Sequence, residues 1–259
     1  MRGPPLGTLT LLTALVLPSG ACGPGDADLV VLVASSLSDA AEEFAAPFGA
    51  AVSEGGSQVI AAQVESGAPA DVVLLADPDI AARLHASGLA DEPVALVAGG
   101  LAVVVAARAR DRIDDAADLA DPDLRVVLAD EGVPLGAYTR EGLRRLEDAG
   151  LVPAGTAAAV LAGADSLEES ARTVLAKVIA EEADAAIVYR SDLVAARRAD
   201  RDVTGLVWPE AADVRAVYTA QIVAASEHRA EAEAFVAALR APSASETWRD
   251  FGFDPEPES

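Results

Sequence analysis

The sequence predicts an α/β fold divided between two sheets, and three observations carry the prediction. Short, continuous, β-branched apolar runs recur along the 259 residues, as they do in strands buried on both faces. Segments with helical spacing alternate with those runs. Apolar residues make up 52% of the chain and aromatics only 4%, a balance that suits close-packed layers of Ala, Val and Leu better than an aromatic-rich β-sandwich.

Leu29 to Ala34 is the first buried strand. A helix follows, with Ser36 or Ser38 available as its cap and Leu37, Ala40, Ala41, Phe44 and Phe48 at helical spacing. A second helix starts at Ser57, carries Val59, Ile60, Gln63 and Val64, and stops at Gly67-Ala68-Pro69. Asp71 to Ala76 reads as a strand and Asp79 to Ser87 as the helix after it, ending near Gly88. Strands fall at Leu101 to Ala107 and Arg125 to Ala129, followed by a helix from about Tyr138 to Ala149. Ser170 to Ala180 is helical, Ala185 to Tyr189 and Val217 to Ala224 are strands, and Arg229 to Leu239 and Ser243 to Trp248 are the last helices. The alternation points to parallel sheets, without an internal repeat.

Met1 and Arg2 lead into an uncharged stretch, Leu6 to Leu17, too short to span a bilayer comfortably, so residues 1–21 read as a signal peptide. Ser19-Gly20-Ala21 precedes the single cysteine, Cys22, in an arrangement that resembles a bacterial lipobox. That implies cleavage before Cys22, lipidation of its thiol and a tether of Gly23-Pro24-Gly25-Asp26; secretion with an unmodified thiol is the alternative. One cysteine permits no disulfide within the chain.

The net charge of −23 excludes nucleic-acid binding, which needs a Lys/Arg surface. It opposes anionic ligands at long range too, so an anion site here has to act through short hydrogen bonds inside a cleft. Catalytic signatures are missing. Lys177 is the only lysine and lies in no phosphate loop, and His85 and His228 have no ligand-spaced partners. No serine occupies a Gly-X-Ser-X-Gly elbow.

What remains is a set of helix starts rich in small or hydroxylated residues: Ala34-Ser35-Ser36-Leu37, Gly55-Gly56-Ser57-Gln58 and Pro134-Leu135-Gly136-Ala137-Tyr138. A helix start presents unpaired N–H groups and a partial positive charge. Three of them facing one cleft could hold a dianion with no cationic side chain, although each alone is an ordinary cap or turn.

With their flanks, these segments resemble the periplasmic molybdate-binding protein family. The likeness runs through Ala34 to Ala40, Ser57, Gln63 to Val72, Ala76-Asp77, Pro134 to Tyr138, Ala183 to Asp192 and Phe251-Gly252-Phe253, in order and over almost the whole mature chain. It implies a two-lobed type II periplasmic binding fold, with the ligand in the interlobe cleft and hinge closure on binding. Guided by it, residues 29–98 with 219–259 form one lobe and 99–218 the other. The implied function is that of an extracytoplasmic receptor, monomeric and not an enzyme, which hands molybdate, and tungstate with it, to the permease of an ABC transporter. No cofactor and no metal cation is implied.

In the family, two serine hydroxyls, backbone N–H groups and a tyrosine hydroxyl hold the oxyanion, and these roles fall on Ser36, Ser57, Leu135, Ala171 and Tyr189. Such donors complement a fully deprotonated tetrahedral dianion, which offers only acceptors. A protonated phosphate would require an acceptor, and none of the five is acidic. The alternatives are a receptor for sulfate or another oxyanion, and a secreted serine hydrolase using Ser36. Leu135 stands where the family has alanine and Ala171 where it has valine, but both act through the backbone. Phe48 to Ser57 is shorter than in the family, so that either the strand before Ser57 is reduced to Gly49 to Ser53 or Ser57 is displaced. Asp71, Asp77, Asp184 and Asp192 read as capping or interlobe residues, and an alternative role for Arg172, beside Ala171, is to neutralise the bound charge from behind.

Overall fold

A computed structural model describes residues 29–255. The signal peptide and Cys22 lie outside the described residues. The first sheet collects β1 (Val30–Ala34), β2 (Ala51–Gly55), β3 (Val72–Leu75) and β4 (Val94–Gly99), together with two later strands. Between these strands stand α1 (Ser38–Ala45), α2 (Ser57–Glu65) and α3 (Pro78–Ala86). The chain then builds a second sheet from β5 (Leu101–Ala106), β6 (Val126–Ala129), β7 (Ala164–Glu168), β8 (Ala185–Tyr189) and β9 (Val203–Val207). Its helices are α4 (Pro134–Asp148), α5 (Thr156–Ala162), α6 (Ala171–Ile179) and α7 (Arg190–Arg198). The chain returns to the first sheet through β10 (Ala216–Ile222), then α8 (Arg229–Arg240), α9 (Ala244–Asp250) and the short β11 (Asp254–Pro255). Strand order is β11-β4-β10-β3-β1-β2 in one sheet and β7-β6-β8-β5-β9 in the other.

Both sheets are mixed, which corrects the expectation of parallel ones. β1, β2 and β3 run parallel, as do β6, β7 and β8, but β10 is antiparallel to β3 and β4, and β5 to β8 and β9. The cause lies in the crossovers. Each βα strand runs toward the cleft between the lobes, so a strand that has just crossed the cleft must run away from it. β5 begins beside Tyr189 at the cleft end of β8, and β10 begins beside Gly99, where β4 leaves. The expected resumption of the first lobe at residue 219 falls inside β10.

The strand before Ser57 is neither missing nor confined to Gly49 to Ser53. β2 pairs along its whole length with β1, from Val30 opposite Ala51 to Ala34 opposite Gly55. A short connection suffices because Gly49 sits in the left-handed region at φ 62° and reverses the chain directly after a 3-10 turn at Ala46–Phe48.

Candidate functional site

Four helical tips and one strand end converge on a single pocket in the cleft. β1 delivers a 3-10 turn at Ser35–Leu37; β2 delivers the first turn of α2; α4 and α6 present their N-termini from the second lobe; β8 ends there in Tyr189. The five residues expected at the site, Ser36, Ser57, Leu135, Ala171 and Tyr189, all line this pocket. Its cavity is small, about 20 Å³ against the roughly 300–1,000 Å³ usual for larger organic ligands, so its guest must be compact. Ala34, Ser35, Gly55, Gly56, Ala76, Val133, Pro134 and Ser170 complete the wall, with no carboxylate, amine, guanidinium or imidazole among them.

The donors are arranged by local chemistry. Ser57 is buried and its Oγ accepts a 3.0 Å bond from the Ala76 N–H. That bond occupies a lone pair and leaves the hydroxyl proton for a guest. α4 starts at Pro134, four residues earlier than expected, where the missing N–H costs nothing because the first turn has no helical acceptor. Its helical ladder opens with Ala137 N–H to Val133 at 3.1 Å, so the Leu135 N–H lies ahead of it. Gly136 allows this tip to press onto the Asp130 backbone, because a Cβ there would stand 1.9 Å from the Asp130 carbonyl oxygen. In α6, Ser170 accepts from the Thr173 N–H at 3.1 Å, and the Ala171 N–H again precedes the ladder. Ser36 and Ser38 cap no helix with their side chains; Ser38 instead donates to the Ser35 carbonyl at 3.2 Å.

Tyr189 is 2% exposed and its hydroxyl has no partner within the protein. Its ring is fixed edge-on between Tyr138 and Tyr218, at centroid distances of 6.3 and 5.8 Å. Burial holds the Tyr189 phenol well above its ordinary range, with Tyr218 and Tyr138 adding to the effect, and burial also pushes Tyr138 up to about 12. Tyr189 therefore stays a donor at physiological pH. A buried phenol without a partner is costly unless something outside the protein completes it.

The four aspartates take supporting positions. Asp77 caps α3, accepting from Asp79 N–H at 2.8 Å. Asp192 accepts from the Tyr189 N–H at 3.0 Å and so fixes the strand end that carries the phenol. Asp71 and Asp184 sit just ahead of the interior strands β3 and β8, at the strand ends away from the pocket. Asp71 Oδ2 accepts from Val30 N–H at 2.7 Å, and Asp184 Oδ2 accepts from Arg125 N–H at 2.8 Å. Neither histidine lines the pocket: His228 contacts Asp71 at 3.2 Å, and His85 lies 3.2 Å from the Ala90 carbonyl. Arg172 is spent on Asp39 and Glu54 of the first lobe. Of the wall residues, Val133 and Ser170 lie outside the helix starts and motifs that sequence reading singled out; the signal for Ser170 was the capping pair it forms with Thr173.

Among the described residues, no cluster of His, Cys, Asp and Glu could hold a metal ion, and no helix is long and apolar enough to cross a membrane.

The profile of the bacterial extracellular solute-binding protein family matches residues 29–254. The molybdate-binding protein ModA of Mycobacterium tuberculosis strain H37Rv is 33% identical over 187 residues, 68% of this chain and 67% of that one. Its Escherichia coli K12 counterpart is 31% identical over 264 positions, 95% of this chain and 97% of that one. Among solved structures, the periplasmic molybdate-binding protein of Azotobacter vinelandii superposes with a TM-score of 0.73 at 22% identity, covering 89% of this chain and all of the other. The sulfate-binding protein SubI of M. tuberculosis reaches 0.74 at 20% identity, over 88% and 86%. At these identities the two structures bear on the fold, which is the two-lobed type II arrangement.

Proposed function

The chain belongs to the bacterial extracellular solute-binding protein family, and within it to the molybdate-binding proteins, and from that membership we propose that its solute is molybdate, with tungstate as a second guest. It is a receptor and not an enzyme, and its family is extracellular. Ser36 and Ser57 would donate their hydroxyls from one lobe. Leu135 and Ala171 would add main-chain N–H groups from the other, together with the Tyr189 hydroxyl. The single observation that carries this reading is the wall of the pocket, which gathers neutral donors and lacks every charged side chain. Such a wall suits a dianion with no proton to give, and it offers the proton of a phosphate no carboxylate to meet.

The lobes would comprise residues 29–98 with 219–259, and 99–218. Delivery to an ABC-type permease, a monomeric state and an anchor on Cys22 complete the proposal. Thermal shift of the purified chain with molybdate, tungstate, sulfate and phosphate tests the ligand. Strong stabilisation by the two larger oxyanions alone is the expected result. Equal stabilisation by sulfate would reassign the site to that anion, and mass spectrometry of the mature N-terminus would expose an unmodified Cys22.

A further inference from the structure

Lobe 1 grips the tip of α6 from two sides, and the grip crosses the cleft beside the pocket. On one side, Gln58 at the start of α2 donates through Nε2 to the Glu169 carbonyl at 2.9 Å. On the other, Nη2 of Arg172 reaches Asp39 Oδ1 of α1 at 3.1 Å, Glu54 Oε2 of β2 at 3.0 Å, and Ser38 Oγ. Ser38 in turn donates to the carbonyl of Ser35, a pocket residue. The four bonds made by Gln58 and Arg172 join the two lobes and converge on residues 169–172, the segment that presents the Ala171 N–H to the pocket.

We propose that Arg172 is a positioning residue, a clasp that holds the lobes shut over the oxyanion by bridging to Asp39 and Glu54 rather than by attracting the guest itself. The proposal rests on the oxyanion reading of the site. Three points argue for the bridging role. Arg172 stays outside the pocket wall although its neighbour Ala171 is part of it. Its guanidinium is already committed to two carboxylates, which it screens from the cleft. Those carboxylates belong to the opposite lobe, so the pairs can form only when the cleft is closed. The rival role is a direct hold on the anion, since the Arg172 Nε–H is buried and has no partner.

The two roles predict opposite signs for one variant. Asp39→Asn with Glu54→Gln turns the ion pairs of the clasp into bonds to neutral amides, and it also removes two negative charges near the site. If Arg172 clasps, this double variant should bind molybdate roughly 2- to 30-fold more weakly, mainly through faster dissociation, as expected for losing two half-exposed ion pairs. Combining it with Arg172→Ala should then add little, because the same bridge is lost either way. Isothermal titration and stopped-flow dissociation on the full mature chain provide the readouts, with the unliganded melting temperature as a check on folding. Unchanged or tighter binding by the double variant would overturn the clasp while leaving the site reading intact. A wild-type chain that no oxyanion stabilises would overturn both.

Discussion

Tyr189 and Ser57 both face the pocket, yet their free-state chemistry differs, and the difference is measurable. The Tyr189 hydroxyl has no partner within the protein, so Tyr189→Phe removes a buried polar group that nothing in the free chain satisfies. The unliganded variant should melt no lower than the wild type. Molybdate affinity should fall roughly ten- to a hundredfold, since a hydrogen bond to a charged guest contributes about 1.5–3 kcal/mol. Ser57→Ala should weaken binding too, but it also orphans the buried Ala76 N–H, so the free protein should lose about 1–3 kcal/mol in denaturant titration. Asp192 adds a pH dependence. Burial, reinforced by Asp39 and Glu54 and opposed by the Tyr189 N–H and Arg172, pushes its carboxyl from 3.8 up to about 7. Between those values the folded chain holds a proton that the unfolded chain has released, so stability must decline as pH rises from about 4 to 7. Asp192→Asn keeps an acceptor for Tyr189 but cannot ionise. It should gain on the wild type on the order of 1 kcal/mol or more at pH 8 and almost nothing at pH 4, as urea midpoints at the two pH values would reveal.

At the scale of elements, the two lobes repeat one device that the sequence hides. β1-β2-β3 and β6-β7-β8 share the parallel order second-first-third, and in each an aspartate just ahead of the third strand receives an N–H at the start of the first, from Val30 of β1 and from Arg125, one residue before β6. Asp71 and Asp184 thereby tie the strand ends far from the pocket and leave the near ends to it. Asp184 also receives Arg108 Nε at 2.6 Å. Despite the cost of burial, its bonds to Arg125 and Arg108 hold its carboxyl below 3.8, so its contribution is present above that pH and fades as the medium turns more acidic. Asp184→Ala should cost about 2–4 kcal/mol at pH 7, with less effect on oxyanion affinity than on melting temperature, because it leaves a guanidinium and a strand N–H without their acceptor. Strands buried on both faces, such as β1, β3, β5 and β8, announced themselves as unbroken apolar runs. β7 and β9 did not: they form the outer strands of their sheet, half exposed, with residues such as Asp165 and Gly205 interrupting the run. α7 escaped notice because Arg190 to Arg198 is mostly polar and reads as motif before it reads as helix. The cross-cleft contacts of Gln58 and Arg172 had no local signature, being made by residues more than a hundred positions apart.

For the molecule as a whole, the net charge of −23 and the donor-lined pocket act at different ranges and should separate in kinetics. A dianion approaching from solvent meets a repulsive field that extends about 30 Å at 0.01 M salt but only about 8 Å at 0.15 M. Raising ionic strength across that interval should therefore speed association several-fold, the reverse of the slowing seen when opposite charges steer an encounter. Once inside, the guest would be held by hydrogen bonds at contact distance that salt screens little, whereas the half-exposed pairs of Arg172 with Asp39 and Glu54 are weakened by the same ions. Dissociation should consequently quicken with salt in the wild type and be almost salt-independent in the Asp39→Asn, Glu54→Gln variant, while both chains share the rising association rate. Stopped-flow traces at a series of sodium chloride concentrations would show this pattern as two slopes of the same sign in the wild type and one in the variant. An association rate that fell with salt would mean that a local positive potential at the cleft mouth outweighs the acidic surface.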